Sequence, residues 1–229
     1  MAELSALFKW TGGALFVASL AYWSSWYLYM LGGSTARGGL DGSALAADAA
    51  LFTLFAAHHS ILARDPVKRV LAFIPAHLNR SVYVWTASIL LVIVCLAWRP
   101  IGGDIYGVTG AAAIALVIVQ VAGAWFIAQS VACIDALELA GIRPVRRSDA
   151  GLQTSGPYGV VRHPLYLGWM MIVFGAPHMT ADRLAFAAIS SFYLVIAVPW
   201  EERSLRQSFG EAYARYQQIV RWRVIPYVY

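Results

Sequence analysis

The stretch Thr154–Gly168, TSGPYGVVRHPLYLG, lies between two strongly apolar regions and decides how the rest of the chain is read. Pro164 suits the first turn of a helix, and the residue before a proline is pushed away from helical angles. Arg162 and His163 therefore stand at the mouth of a helix that starts at Pro164 and enters the membrane. A helix start carries unpaired N–H groups and a partial positive charge. With Arg162 and His163 added, it suits an anionic group such as a carboxylate or phosphate. A basic interfacial anchor beside a tight Gly156-Pro157 turn accounts for the same residues without any ligand.

Composition sets the surroundings of that motif. The 229 residues are 60% hydrophobic and only 13% charged, with a mean hydropathy of +0.62. That is too apolar for a soluble domain and fits a chain that crosses the membrane several times. Soluble Rossmann enzymes are excluded, and the chain has no P-loop and no GxSxG elbow. Cys95 and Cys133 are far apart, so neither a disulfide frame nor a metal site is implied. The pI of about 9.4 comes from arginines interspersed between apolar segments, which points to a membrane surface and not to nucleic acid. The uncharged run Trp10–Ala36 is too long for a signal-peptide core and reads as a retained span.

About 20 apolar helical residues cross a hydrocarbon core. Six segments approach that: Phe8–Leu31, Ser43–Ala63, Ser81–Trp98, Tyr106–Ala132, Pro164 to near Pro177, and Arg183–Pro199. The expected fold is all-α, a polytopic membrane helix bundle. Residues 1–132 hold four spans, and residues 133–229 form a second region with a long loop, a helical hairpin and an amphipathic helix. In that last helix Leu205, Phe209, Tyr213, Tyr216 and Val220 make an apolar stripe, interrupted by Gly210. With six spans, all but Arg37, Arg99 and Arg183 of the 17 basic residues fall on one side. Basic residues concentrate in the cytoplasm, so both termini and the Arg162–His163 motif are expected there, in a bacterial inner membrane.

Glu201 and Glu202 close the sixth span at the same level as Arg162 and His163. A zwitterionic amino-acid moiety suits this pairing, its carboxylate toward the basic side and its ammonium toward the acidic side. A plain i,i+4 pair of Glu202 with Arg206 explains Glu202 alone. His58 and His59 lie within the second span. Adjacent positions point apart on a helix, so they do not bind one metal together, and His59 is the better candidate for a base near a substrate. Trp85, Trp125 and Trp169 are candidates for an apolar pocket or for plain packing.

SGPYGVVRHPLYLG, followed after the next span by EERSLRQSFGEAYARY and then RVIP, resembles the integral-membrane methyltransferases, which include the isoprenylcysteine carboxyl methyltransferases and the phospholipid methyltransferases. AHHSILARDPVKR, NRSVYVW and WRPI resemble a bacterial branch containing methanethiol S-methyltransferases and NnrU-like proteins. The resemblance implies S-adenosylmethionine held at the cytoplasmic face by Tyr158, Arg162, His163, Tyr166, Leu167 and Gly168, with Glu201 or Glu202 on its amino group. It also implies a small or lipid-like methyl acceptor, either a thiol or a prenylcysteine-like carboxylate, with His59 near it. A thiol must lose its proton, and His59 or a glutamate is placed to take it; a carboxylate needs only a cation such as Arg162. Two other readings compete. One is a steroid-reductase-like NADPH enzyme, which calls for more cationic side chains. The other is a membrane protein with no enzymatic activity.

Overall fold

The computed structural model describes residues 2–33, 40–62, 74–75, 77–143 and 151–229. It is mostly helical. The elements are α1 (Ala2–Ser25, ending in a π-turn over Trp26–Met30), α2 (Gly42–Leu62), α3 (Asn79–Ala97), β1 (Asp104–Gly107), α4 (Gly110–Ala132), α5 (Ala136–Leu139), α6 (Pro164–Phe174), β2 (His178–Thr180), α7 (Ala181–Phe209) and α8 (Glu211–Ile219). Four helical stretches among the described residues, Glu3–Met30, Asn79–Ala97, Gly110–Ala132 and Ala181–Phe209, are long and apolar enough to span a bilayer. The chain is an integral membrane protein with a helical-bundle fold.

All six expected segments are helical, but the last two differ from a matched short pair. The 11 residues of α6 rise only about 16 Å, roughly half a hydrocarbon core. In contrast α7 runs 29 residues, straight through Pro199. It extends to Phe209, so the first turns of the expected amphipathic helix belong to the span. The break falls at Gly210, whose φ of +52° suits a residue without a Cβ. The connection between α6 and α7 is also more than a turn, because β2 pairs with β1.

The chain divides into two compact units. The first comprises Met1–Gly103, Ala136–Val145 and Thr180–Asp182. Within it Trp85 stacks on Phe8 and donates Nε1 to the Phe8 carbonyl at 3.0 Å, so this tryptophan serves packing. Two buried carboxylates hold the segment after α3. Asp182 accepts from Trp98 Nε1, Ile101 N and Gly102 N, and Asp48 accepts from Arg99 N. Both aspartates satisfy backbone donors that would otherwise lack partners just beyond the end of α3 at Ala97.

The second unit comprises Asp104–Asp135, Arg146–Met179 and Arg183–Tyr229. Its framework is the crossing of α4 and α6. A Cβ at Gly123 would lie 2.7 Å from the Gly168 carbonyl, and one at Gly168 would lie 2.8 Å from the Gly123 carbonyl. The two backbones touch, as small residues allow between membrane helices. Gln120 seals the same seam by donating to the Ile172 carbonyl at 2.9 Å. At the far end the stripe from α7 and α8 closes, with Tyr213, Tyr216 and Val220 buried against Leu152, Leu205 and Phe209. Gly123→Ala is expected to destabilise by about 1–3 kcal/mol, because neither facing atom is a flexible side-chain end. The check is the melting temperature in detergent beside that of Gly42→Ala, where nothing lies within 4 Å of the added Cβ and φ is not positive.

Candidate functional site

The site is built where α6 begins and α7 ends. A 3-10 turn over Gly156–Gly159 leads into Val161, which is fully buried, and then into Arg162 and His163, both buried. Pro164 opens α6, as its fixed φ favours, and His163 takes non-helical angles in front of it. The pair does not rest on the helix start alone. Arg162 N donates to the Trp222 carbonyl at 2.9 Å, and His163 N donates to the Arg223 carbonyl at 2.8 Å.

Arg162 is held through two of its nitrogens. Its Nε donates to Glu202 Oε1 at 2.6 Å, and its Nη1 donates to the carbonyls of Val220 and Arg221, both at 2.8 Å. Glu202 is buried too. Its Oε2 accepts from Gln217 Nε2 at 3.2 Å and lies 3.5 Å from Arg223 Nε. The i,i+4 partner suggested by the sequence is not used: Arg206 turns to Gln217 Oε1 instead. The expected anion-binding guanidinium is therefore occupied by the protein's own carboxylate. Both groups sit where charge is costly to bury alone, and each matches the other.

Glu201 differs from its neighbour. Its side chain is 47% exposed. It is nonetheless fixed, because Tyr166 donates its hydroxyl to Oε1 and His163 Nδ1 lies 3.2 Å from Oε2. His163 Nε2 lies 3.6 Å from Glu202 Oε1, so the imidazole bridges the two carboxylates, with its ring stacked on Tyr166 at 5.4 Å. Burial pushes the His163 pKa down, but the contacts and charges of Glu201 and Glu202 outweigh it and raise the pKa above its ordinary value of 6.5. The two acids thus favour the protonated form of His163.

The other sequence candidates divide. Tyr158 lies in the 3-10 turn, where its carbonyl accepts from Tyr216 at 2.7 Å and burial pushes its own phenol up to about 12. Leu167 packs against the buried cluster of Met170, Val198 and Val224. Gly168 faces Gly123 and Ile127 across the helix crossing. His58 stacks on Tyr83 in the other unit. The His59 side chain lies outside the described residues. Sequence reasoning missed the carbonyls of residues 220–223 and the Gln217 amide. Backbone acceptors leave no mark in a sequence, although RVIP marked the segment that supplies the last of them.

Chemically, the arrangement offers one accessible, oriented carboxylate above a neutralised buried network. A cationic group such as an ammonium or a sulfonium fits this set of acceptors. Glu201 keeps lone pairs beyond those used by Tyr166 and His163.

Residues 108–212 match the family model described as phospholipid methyltransferase. Methanethiol S-methyltransferase 2 of Bradyrhizobium diazoefficiens is 37% identical over 188 residues, covering 78% of this chain and 72% of that protein. Methanethiol S-methyltransferase of Mycobacterium tuberculosis is 32% identical, covering 78% and 77%. Nurim of Danio rerio is 31% identical, covering 70% and 64%. No solved structure matches.

The raised His163 pKa makes stability depend on pH. The imidazolium's contribution is whole below 6.5 and is lost as the pH climbs through the higher folded-state value. The melting temperature should therefore fall as the pH rises above 6.5, and His163→Gln should flatten that slope. Equal slopes in the two proteins would show that His163 carries no such charge.

Proposed function

The chain belongs to the integral-membrane methyltransferase family that includes the methanethiol S-methyltransferases, and on that premise we propose that it moves the methyl group of S-adenosylmethionine to a small thiol. The observation that supports this most is the half-exposed Glu201 carboxylate, held by Tyr166 and His163 beside a charge-neutral Arg162–Glu202 core. The donor-holding region is residues 133–229, with Glu201, His163 and Tyr166 in contact with the ligand and Tyr158 behind them. Arg162 and Glu202 hold these groups in place. The site lies at the cytoplasmic face of a bacterial inner membrane, a placement that rests on the arginine distribution.

When bound, the donor supplies a methyl group on a positively charged sulfur. Glu201 gives the site a negative field that favours such a cation, and Tyr166 and His163 fix which way that carboxylate faces. A thiol reacts as its thiolate, and beside a positive sulfur it gives up its proton more readily. Glu201 takes that proton and returns it to solvent, for which its exposure suits it. The thiolate sulfur forms the new bond to the methyl carbon while the donor's carbon–sulfur bond breaks, so the spent donor leaves as a neutral thioether. In-line displacement of this kind depends on alignment and on exclusion of water.

A nicotinamide cofactor fits less well. Its phosphates need free cations, and at this site Arg162 and His163 are both matched by glutamates.

S-adenosylmethionine or its demethylated product should raise the melting temperature in detergent, and NADPH should not. With methyl-labelled donor, a small thiol should be methylated in preference to a prenylcysteine analogue or a lipid amine. Glu201→Gln should lower turnover by about 10²-fold or more with little change in melting temperature, since this side chain is half exposed. Full activity in Glu201→Gln, or stabilisation by NADPH alone, would contradict the reading.

A further inference from the structure

Residues 223–229 fold back on themselves beside the site. The Tyr229 carbonyl accepts from Arg223 N at 2.9 Å, Val224 N at 2.9 Å and Ile225 N at 3.2 Å. The reversal passes through Tyr227, which at φ 64° is the one non-glycine residue with positive φ among those described. A tyrosine in the left-handed region is uncommon, and such conformations persist where the surroundings hold them. Here the result is the placing of one side chain. The Arg223 guanidinium lies over the Tyr229 ring at 5.1 Å, and its Nη1 donates to the Tyr229 hydroxyl at 3.1 Å. With one end of the guanidinium held, its Nε lies 3.5 Å from Glu202 Oε2. That is the oxygen Arg162 does not take.

We infer that the Arg223–Tyr229 turn is a positioning device, which aims Arg223 at Glu202 and so sets the charge that His163 and Glu201 present to a ligand. Two arginines then flank Glu202, Arg162 on Oε1 and Arg223 on Oε2. His163, 3.6 Å from Oε1, experiences what negative charge remains. The groups around His163 are Glu201 and Glu202 from α7, Arg162 beside it in the chain, the Tyr166 ring from α6, and Arg223 behind Glu202. From α8, Tyr213 is buried next to Glu202, with its hydroxyl pushed above its usual range by burial and then by the Glu202 charge. The Arg223 carbonyl accepts from His163 N, but its guanidinium meets Glu202, so the Arg223 charge acts through Glu202. None of residues 223–229 falls in the stretch matched by the family model, which stops at residue 212.

The test follows the titration of His163 by NMR in histidine-labelled protein in detergent, the signal being identified by its loss in His163→Gln. Removing the Arg223 charge leaves Glu202 more negative, so Arg223→Gln should raise the His163 midpoint by on the order of one unit. Arg223→Lys, which keeps the charge, should bring it back toward the wild-type value. Tyr227→Pro leaves Arg223 in place but forbids the positive φ, and it should raise the midpoint as Arg223→Gln does. Turnover of a small thiol should fall on the order of tenfold in Arg223→Gln with KM changed less than about twofold. The turnover arm rests on the methyl-transfer reading, and the titration arm does not. A shifted midpoint in a protein that methylates nothing would refute that reading and leave the positioning role standing. A wild-type midpoint in Arg223→Gln, with or without a lowered melting temperature, overturns the inference. A wild-type midpoint in Tyr227→Pro overturns the part played by the turn.

Discussion

The buried ion pair between Arg162 and Glu202 is the contact on which the rest of the site depends. Taking two charges out of water costs several kcal/mol for each, and a single attraction does not offset that unless every remaining donor and acceptor is also satisfied. Here Arg162 Nη1 donates to the carbonyls of Val220 and Arg221, and Glu202 takes Gln217 and Arg223 on its second oxygen. The pair ties three pieces of chain that are remote in sequence: the entry to α6, the end of α7, and the segment after α8. Its satisfaction also separates the two neighbouring glutamates. Glu202 faces inward and balances the arginines, which leaves Glu201 outward with its orientation set by Tyr166 and His163.

Much of the fold was legible because apolar length and charge placement are sequence properties. The six helical segments, the start of α6 at Pro164 and the stripe Leu205–Phe209–Tyr213–Tyr216–Val220 follow from periodicity and from proline chemistry. The juxtaposition of Arg162 and His163 with Glu201 and Glu202 followed from placing both clusters at one membrane level. The extension of α7 through Pro199 was not legible. A proline in a helix interior usually marks a boundary, and only packing decides when the missing N–H is tolerated. The brevity of α6 was likewise hidden, since its apolar run continues to Pro177 while the chain leaves helical angles at Gly175 to pair β2 with β1.

At the site, residue types were readable and their division of labour was not. RHP reads as an anion site at a helix mouth, yet the anion that Arg162 meets is Glu202 of the same chain. Gly168 lies in the motif but is required by its backbone contact with Gly123, a partner 45 positions earlier that no local pattern points to. The clamp on Arg162 is made of main-chain carbonyls, which every residue possesses. Similarity to methanethiol S-methyltransferases narrows the chemistry, and the geometry distinguishes the half-exposed Glu201 from the buried Glu202 that the arginines hold.

A double-mutant cycle on Arg162 and Glu202 tests this account most directly, with Arg162→Met to keep the stem without the charge and Glu202→Gln to keep the shape without the charge. Unfolding free energy in mixed micelles is the measurement. If the pair is the contact that organises the site, each single change should cost about 3–5 kcal/mol, and the double variant should be less destabilised than their sum by about 2 kcal/mol or more. Costs that simply add would contradict it, because the two side chains would then be stabilising the protein independently.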